Sequence, residues 1–381
     1  MPSKNPDPSG VADLFRAVEF AHYAERFRDK LFVVALPDGT PLGDLLLDLK
    51  VLAGYRIQVV LVLADPALRL REVVAEANKR GARFHFSLAA DADVGQGGAP
   101  ALDLGGLRSE LESGKTPVIA CRPVDSGPLD GTFALAGEVA ERLAAHKLFL
   151  VGPEAARLAA AIPRTHVLAG ELEGLRQGLA GREGSDLDPL LDFVAGMLTR
   201  GVPDIVLLEG RSGDLYREVF THDGAGVLFN AVERSRVRRA KIGDVTDITL
   251  LTRPEAEAGR IRPVEESEIE ANIDSYWVYD IDGLLVGLAR LKPFGEVAEL
   301  AQFATLPRYR GKGRARELAQ RLVDEAAAQG FRRVFALSVD PRMWDFFRSL
   351  DFQQVDRDAL PENWQKEYDL ARPSRAFLKE L

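Results

Sequence analysis

The chain has 381 residues, of which 46% are hydrophobic, and this length and composition predict two folded domains with sizeable cores. Its formal net charge of −9 argues against a general nucleic-acid binder, because such proteins usually carry a strongly basic face. We therefore expect no nucleic-acid partner, and any basic patch needs a local explanation.

The single cysteine and the apolar segments bear on where the protein works. Cys121 has no partner for an internal disulfide and follows the apolar run "TPVIA", so we expect a small buried residue in a reducing compartment. The start, "MPSKNPDPSG", lacks the apolar stretch of a signal peptide. Apolar runs such as "VVLVLA" are too short to span a bilayer. These features predict a cytoplasmic protein with no membrane partner.

The first 29 residues are predicted to lie outside the folded domains. Residues 1–10 form a polar, proline-rich tail. The stretch "VADLFRAVEFAHYAERFRDK" that follows has apolar residues at helical spacing, among them Leu14, Phe20 and Phe27. Because this apolar stripe precedes the first strand, we expect it to pack against another subunit. We therefore assign residues 1–29 to a tail and an oligomerisation helix, and expect a homo-oligomer.

Residues 30–235 alternate buried strands with helices. Strands are predicted at 31–36, 57–64, 117–124, 147–152 and 204–210, with helices at 42–52, 66–79, 132–145, 154–161 and 187–200. Continuous Val/Ile/Leu strands separated by helices are typical of a largely parallel sheet covered on both faces, so the class is α/β. The glycine-rich stretches "GQGGAPALDLGG" and "GREGSD" are interpreted as linkers or lids.

The pattern changes at residue 236, where we place the start of a second domain, 236–381. Strands are predicted at 237–240, around the Asp282-Gly283 turn of "YWVYDIDGLLVGLARL", at 297–306, at 333–339 and in "FQQV", with helices in "IGDVTDITLLT", "VEESEIEANI", the segment up to Gln329 and "PRMWDFFRSL". Hairpin-connected strands mixed with helices indicate an α+β domain.

The stretch "RYRGKGRA", residues 308–315, concentrates positive charge and glycine between a strand and a helix. A helix start of this kind binds anions, because its free N–H groups point outward. Gly311 and Gly313 let the backbone approach a phosphate, and the basic side chains, with Arg316, add charge. The stretch matches neither a P-loop nor a dinucleotide-binding fingerprint. The alternative is a solvated basic helix start, which two glycines would weaken for no gain.

The spacing Arg310-x-x-Gly313-x-Ala315 is the R/Q-x-x-G-x-G/A loop, and residues 237–381 resemble an N-acetyltransferase domain of the GNAT superfamily. In that superfamily the loop binds the pyrophosphate of coenzyme A, so the resemblance implies acetyl-CoA as cosubstrate. No metal is expected. The residues implied in cosubstrate binding by this loop are Arg310, Gly311, Lys312, Gly313, Arg314 and Ala315.

Over nearly its whole length the chain resembles bacterial N-acetylglutamate synthases, which fuse an amino-acid-kinase-like domain to the acetyltransferase. The resemblance is carried by "YAERFRDKLFVV", "GDLYREVFTHDGAG", "VRRAKIGDVTDI" and "LPENWQKEYDLARPSRAFLKEL", the second of which is similar to a family hairpin. It implies acetylation of L-glutamate at the first step of arginine biosynthesis, and a tetramer or hexamer. It also implies that the N-terminal domain can bind arginine as an effector.

The N-terminal domain departs from active amino-acid kinases. The places where those kinases hold ATP phosphates read "LPDGTP" and "LADPAL" here, without the lysine and the glycine runs. Phosphoryl transfer therefore has little support, and we interpret residues 30–235 as a degenerate, non-catalytic scaffold. "FTHDGAG", with Asp223, belongs either to an arginine site or to a tight turn.

Acetyl transfer needs a base, an oxyanion donor and a thiolate that can leave. The resemblance places Glu299 of "AELAQFA" as general base, and a carboxylate on an apolar strand has its pKa pushed upward; the alternative is a solvated strand face. Backbone N–H groups of Gln302, Phe303 or Ala304 would polarise the thioester where the strand splays from its neighbour. Ser338 is either the thiolate's proton donor or a helix N-cap.

The C-terminal R-x-S pair, Arg372 and Ser374, is the implied acceptor-carboxylate site, with both side chains predicted on one face of a strand. The family's second arginine falls on Pro263, so Arg262 or Lys292 would have to replace it. Ile261 would contribute its main chain. This departure leaves another small amine or amino acid open as acceptor. A third alternative is a non-catalytic amino-acid or acyl-CoA sensor.

Overall fold

The computed structural model describes residues 8–38, 40, 42–64, 70–79, 85–94, 102–123, 129, 131–179, 188–221, 223–231, 235–281, 283–369 and 371–381. The chain divides into two compact units, residues 1–232 and 233–381. The division lies three residues before the boundary expected from the sequence.

The first unit is built from strands and helices that largely alternate. Its strands are β1 (Leu31–Leu36), β2 (Gln58–Ala64), β3 (His85–Val94), β4 (Lys115–Pro123), β5 (Lys147–Val151), β6 (His166–Leu168), β7 (Asp204–Leu208) and β8 (Val227–Asn230). Its helices are α1 (Pro8–Arg26), α2 (Leu42–Gly54), α3 (Leu70–Lys79), α4 (Leu104–Glu112), α5 (Gly131–Arg142), α6 (Pro153–Ala161), α7 (Leu172–Leu179), α8 (Asp188–Thr199) and α9 (Asp214–Phe220).

The strands of the first unit form one sheet in the order β3-β4-β2-β1-β5-β7-β8-β6. Neighbouring strands run parallel except β7 and β8, which are antiparallel. The central strands are almost fully buried, as their unbroken Val/Ile/Leu/Phe sequences require in a sheet with both faces covered. The predicted α/β class with a mostly parallel sheet is confirmed.

Several elements of the first unit escaped the sequence patterns, namely β3, α4, β6, α7 and β8. Helix α4 begins at Leu104, inside the stretch interpreted as a glycine-rich linker. The Asp103 carboxylate caps it by accepting the Gly106 N–H at 2.9 Å, which explains how a glycine-containing sequence starts a helix. The earlier part of that stretch, and "GREGSD", lie outside the described residues.

Helix α1 packs partly on its own unit. The Phe20 ring lies 5.7 Å from Tyr216 and 4.6 Å from Phe220, measured between ring centroids. Phe27 is buried with its ring 5.5 Å from Phe32. The expectation that this apolar stripe stands outside the domain is therefore wrong for Phe20 and Phe27, because aromatic side chains of α9 and β1 cover them.

The hairpin expected at 213–226 is also wrong, because Asp214–Phe220 forms helix α9. The buried Asp48 carboxylate accepts backbone N–H groups of Gly213 at 3.0 Å and Leu215 at 3.1 Å at the start of this helix. Such a carboxylate neutralises the positive end of the helix. Glu218, within this helix, accepts the N–H groups of Ala225 and Gly226, so the described residues 223–226 turn back toward the helix, and Asp223 is exposed among them.

The second unit has seven described strands and five described α-helices. The strands are β9 (Ser235–Arg239), β10 (Tyr276–Ile281), β11 (Leu284–Phe294), β12 (Val297–Thr305), β13 (Arg333–Ser338), β14 (Gln353–Val355) and β15 (Arg375–Glu380). The helices are α10 (Val245–Glu257), α11 (Glu266–Ala271), α12 (Arg314–Ala328), α13 (Pro341–Arg348) and α14 (Glu362–Glu367), the last of which the sequence did not predict.

The strands of the second unit form a sheet in the order β14-β15-β13-β12-β11-β10-β9. All neighbours are antiparallel except β12 and β13, which are parallel. Leu318 and Leu322 of α12 are fully buried, as the predicted register of that helix requires. The α+β arrangement expected for this half of the chain is confirmed.

An opening forms in this sheet where β12 leaves β13. Within the described chain, their pairing ends at Glu299 and Phe335. The register of β12 against β11 shifts between Leu288 and Arg290, and Gln302 takes a left-handed φ of 55°. Such a φ is uncommon for a residue other than glycine and marks a bulge that bends the strand. The bend separates two parallel strands and exposes their backbone at the centre of the sheet.

Candidate active site

Two cavities meet at the opening between β12 and β13. The larger, of about 660 Å³, is lined by five basic side chains and is called the basic cavity. The smaller, of about 410 Å³, is lined by the start of α12 and is called the loop cavity. Both are lined by Arg260, Ile261, Gln302 and Leu337. A molecule bound in one cavity can therefore reach a molecule bound in the other.

The loop cavity contains the glycines that the sequence singled out. Gly311 has a φ of 80° and Gly313 a φ of 76°, in the left-handed region that favours glycine. A Cβ on either would meet no atom within 4 Å, so the backbone conformation itself requires glycine here. Gly313 is the N-cap of α12 and offers no side chain to the N–H groups of the first turn. This helix start is suited to an anionic ligand.

The Arg314 side chain is buried, although the residue also lines the loop cavity. It is only 3% exposed, donates a hydrogen bond from Nη1 to the Tyr309 carbonyl at 2.8 Å, and lies over the Tyr279 and Tyr309 rings. Because side chains at a helix start point back toward the preceding turn, we expect the Arg314 backbone N–H, and not its guanidinium, to contact a phosphate. The contribution of its charge to phosphate binding stays a prediction.

The other basic residues at this helix start, Arg310, Lys312 and Arg316, differ in their hydrogen-bond partners. Arg310 donates from Nη2 to Glu255 at 2.6 Å and from Nε to the Thr305 carbonyl at 2.9 Å, and it lines the loop cavity. Arg316 lines the same cavity and donates to the Ser349 hydroxyl at 2.6 Å. Lys312 is half-buried in the same loop. The loop therefore keeps Arg310 and Arg316 beside the helix start.

Glu255 connects the two cavities. Its Oε1 accepts from Arg310 of the loop cavity, and its Oε2 accepts from Nε of Arg260, which lines both cavities, at 2.5 Å. The Glu255 carbonyl also accepts the Arg260 N–H at 2.9 Å. One buried carboxylate thus holds Arg310 of the loop cavity and Arg260, which lies where the two cavities meet.

The far wall of the loop cavity combines apolar rings with a hydroxyl. Phe303 lies edge-to-face with Phe346, with 6.0 Å between ring centroids. Ser338 is half-buried, and its Oγ accepts the Asp340 N–H at 3.0 Å, which leaves its own proton to donate. The N-cap of α13 is Asp340, so the N-cap alternative for Ser338 is wrong. Gln302, Phe303 and Ala304 all line this cavity.

Glu299 lies in the basic cavity and is 9% exposed. It stands directly opposite Lys292 in the antiparallel ladder, and Trp364 lines the same cavity. Burial raises the pKa of its carboxyl group, although Lys292 and Arg290 pull in the other direction. A solvated strand face is therefore wrong for Glu299. A buried carboxylate with a raised pKa can accept a proton near neutral pH.

The predicted acceptor residues gather in the basic cavity, with one exception. Arg372 donates to the Gly259 carbonyl at 2.7 Å, Arg262 to Glu268 at 2.8 Å, and Lys292 lies 3.8 Å from Glu367. Together with Ile261 these side chains line the cavity, whereas Ser374 bonds the Tyr368 hydroxyl at 3.0 Å behind it. Arg372 and Ser374 precede β15, so their placement on a strand is wrong.

The sequence patterns did not single out Arg260, Arg290, Trp364 and Tyr368, which also line the basic cavity. A signal for Arg290 was present. It stands two residues before Lys292 in the strand sequence "LARLKPF", and alternate residues of a strand share one face. Arg290 and Lys292 could therefore have been predicted to lie on the same face of the sheet.

Two further properties concern the chain at large. Within the described ranges, no helix is long and apolar enough to cross a membrane. Among the same residues, no group of three or more His, Cys, Asp or Glu side chains is placed to hold a metal ion.

Comparison with known proteins identifies relatives of the second unit and of most of the chain. Residues 245–352 match the model of the acetyltransferase (GNAT) family. The amino-acid acetyltransferase of Azotobacter vinelandii is 31% identical over 293 residues, which are 74% of this chain and 65% of that protein. That of Neisseria meningitidis serogroup A is 32% identical over 195 residues, which are 50% and 44% of the two chains. This chain therefore spans less than two thirds of the length of these curated relatives.

One solved structure extends the likeness to the whole fold. N-acetylglutamate synthase from Neisseria gonorrhoeae, complexed with coenzyme A and L-arginine, is 23% identical with a TM-score of 0.60. The match covers 97% of this chain and 99% of that one. The fold expected from the sequence, a kinase-like unit followed by a GNAT unit, is confirmed, as is the resemblance to this group of acetyltransferases.

Proposed function

We propose that this chain, in which a kinase-like unit precedes a GNAT acetyltransferase unit, is an N-acetylglutamate synthase that acetylates the amino group of L-glutamate with acetyl-CoA. The observation that carries the proposal is the meeting of the two cavities at Gln302. An anion-binding helix start lines one cavity, and Glu299 with a surplus of cations lines the other. This arrangement suits a phosphorylated acyl donor on one side and a dicarboxylic amine on the other.

The chemistry begins at Glu299. Its carboxylate takes a proton from the acceptor's ammonium group, and the neutral nitrogen then attacks the thioester carbon. Backbone N–H groups at Gln302, Phe303 or Ala304, on the bent part of β12, stabilise the oxyanion of the tetrahedral intermediate. The carbon–sulfur bond breaks as the intermediate collapses, and Ser338 donates its hydroxyl proton to the departing thiolate. The attacking nitrogen gives up its second proton as the amide forms, and this proton restores the Ser338 hydroxyl, while Glu299 later releases the first proton to solvent. The amide product and the free thiol leave by their separate cavities.

The acceptor assignment follows from charge. The basic cavity is lined by five cations, Arg260, Arg262, Arg290, Lys292 and Arg372, and by four carboxylates, Glu268, Glu299, Glu367 and Asp369. An acceptor with two carboxylates adds the negative charge that these cations can pair with. Because Pro263 stands where the resemblance implies an arginine, another small amine or amino acid is the second candidate acceptor.

The remaining roles concern the first unit. We infer that it does not transfer phosphate and that it binds L-arginine as an effector, as the Neisseria gonorrhoeae protein is complexed with that amino acid. A cytoplasmic homo-oligomer, tetramer or hexamer, completes the proposal. Exposed apolar side chains of the first unit, Leu47 and Tyr55, support an association surface beside α1.

The cosubstrate site is tested by Gly313→Glu. The new carboxylate would stand at the helix start and repel a pyrophosphate, so the Kd for acetyl-CoA should rise by about tenfold to a hundredfold. The matched control is Gly330→Glu at the far end of α12, where φ is 84° and a Cβ also meets no atom within 4 Å. Isothermal titration calorimetry measures both. Equal affinities in the two variants would remove the phosphate-binding role of the loop.

A further inference from the structure

We infer that Arg290 selects the side-chain carboxylate of the acceptor, which Pro263, at the place where the family resemblance implies an arginine, cannot bind. The inference rests on the proposed function and adds to it a specificity-determining residue on a different element. Pro263 belongs to the segment between α10 and α11, whereas Arg290 belongs to β11. Both residues line the basic cavity, so Arg290 can meet a ligand that also contacts the segment around Pro263.

Arg290 is fixed before any ligand arrives. It is 4% exposed, its Nε donates to the Ser275 hydroxyl at 3.0 Å, and its guanidinium lies 5.1 Å from the centroid of the Tyr276 ring. Its Nη1 donates to Glu268 at 3.2 Å. A side chain already held in place loses little conformational entropy on binding, so it discriminates between ligands at low cost.

The charges around Arg290 leave a place for one more anion. Glu268 accepts hydrogen bonds from both Arg262 and Arg290, so two cations share one carboxylate and the group carries a charge of +1. The nearest pair along the same ladder, Lys292 and Glu299, sums to zero. A buried cation without a full counter-charge is costly, and a second carboxylate from a ligand relieves that cost.

The register of β11 and β12 indicates which of the acceptor's two carboxylates lies at Arg290. Lys292 stands opposite Glu299, whereas Arg290 stands opposite Ala301, two residues further along the same face. Two residues of a strand span about 6–7 Å. The amine must lie at Glu299, so the carboxylate next to the amine lies near Lys292, which stands opposite Glu299. The side-chain carboxylate of glutamate, three carbons further on, is the one that extends toward Arg290.

The test compares two acceptors that differ only in that group, L-glutamate and L-glutamine. In Arg290→Met the KM for L-glutamate should rise about thirtyfold or more, because a buried cation that pairs with the carboxylate is lost. The kinetic constants for L-glutamine and the KM for acetyl-CoA should change by less than about threefold, since the amide carries no charge to pair. Arg290→Lys keeps the charge and should retain an intermediate preference for L-glutamate.

The control is Arg321→Met, which removes an arginine that lies 5.0 Å from the Trp277 ring and lines neither cavity. The ratio of kcat/KM for the two acceptors is measured on one sample, so partial loss of folded protein cancels; if Arg290→Met does not fold, Arg290→Lys supplies the ratio. An unchanged ratio, or an equal loss for both acceptors, overturns the role of Arg290. A wild-type chain that does not prefer L-glutamate overturns the proposed function itself.

Discussion

Glu299→Gln is expected to lower kcat by about 10²- to 10⁴-fold, with acetyl-CoA affinity near that of the wild type. The glutamine cannot take the proton that the acceptor's ammonium group must lose. It fills the same space between Lys292 and Trp364, so the loop cavity is not disturbed. Glu296→Gln is the matched control, because Glu296 is an exposed carboxylate of the adjoining turn, 3.6 Å from Arg332.

The pH profile identifies the group. Because burial raises the pKa of Glu299, the wild-type rate should climb as pH rises through that raised value, where the carboxylate becomes charged. This limb should vanish in Glu299→Gln. If the variant keeps both the rate and the pH profile of the wild type, another group is the base.

The same shift affects stability. A carboxyl group whose folded-state pKa is raised contributes stability below its unfolded pKa, and that contribution is lost as pH rises through the folded value. At neutral pH the buried Glu299 carboxylate therefore lowers the free energy of unfolding. Glu299→Gln should melt at a higher temperature than the wild type while losing activity. Such a combination separates a catalytic loss from a folding defect.

Arg372→Ala is expected to raise the KM for the acceptor by tens- to thousands-fold, with the KM for acetyl-CoA nearly flat. Removing a charged partner of a buried carboxylate typically costs about 2–5 kcal/mol. Arg372 lines the basic cavity and its Nη2 is held at the Gly259 carbonyl, 2.7 Å away. We propose that the phosphates of the cosubstrate bind in the loop cavity, so their binding should not depend on Arg372.

The control for Arg372→Ala is Arg375→Ala. Arg375 is an exposed arginine of the same segment that lies 3.8 Å from the centroid of the Trp344 ring and lines neither cavity. The initial-rate kinetics of both variants are measured against each substrate in turn. If Arg372→Ala loses acetyl-CoA affinity but keeps acceptor affinity, Arg372 faces the cosubstrate and not the amino acid.

The buried parallel strands and the glycines of the cosubstrate loop could be predicted because both follow from local sequence. Continuous apolar runs identify buried parallel strands, and glycine at Gly311 and Gly313 satisfies a left-handed backbone whatever the rest of the fold does. Helix α9 was missed because its first turn is stabilised by Asp48, which lies far away in the sequence. When a helix is capped by a residue that is distant in the sequence, the residues next to the helix show no capping pattern.

Side-chain direction could not be predicted for the same reason. Arg314 has the sequence context of a phosphate ligand, yet the rings of Tyr279 and Tyr309 draw it into the core. Arg290 has the context of an exposed strand residue, yet Glu268 and Tyr276 make its burial possible. Charged side chains are buried only where distant partners compensate them, and sequence patterns do not contain those partners.

The release of free thiol from acetyl-CoA, measured across a panel of amino acids and simple amines, tests the central claim most directly. The proposed function predicts thiol release that requires L-glutamate, exceeds the release with every other acceptor of the panel, and yields a product one acetyl group heavier by mass spectrometry. Release no faster with L-glutamate than without an acceptor, from protein that still binds acetyl-CoA, would contradict it.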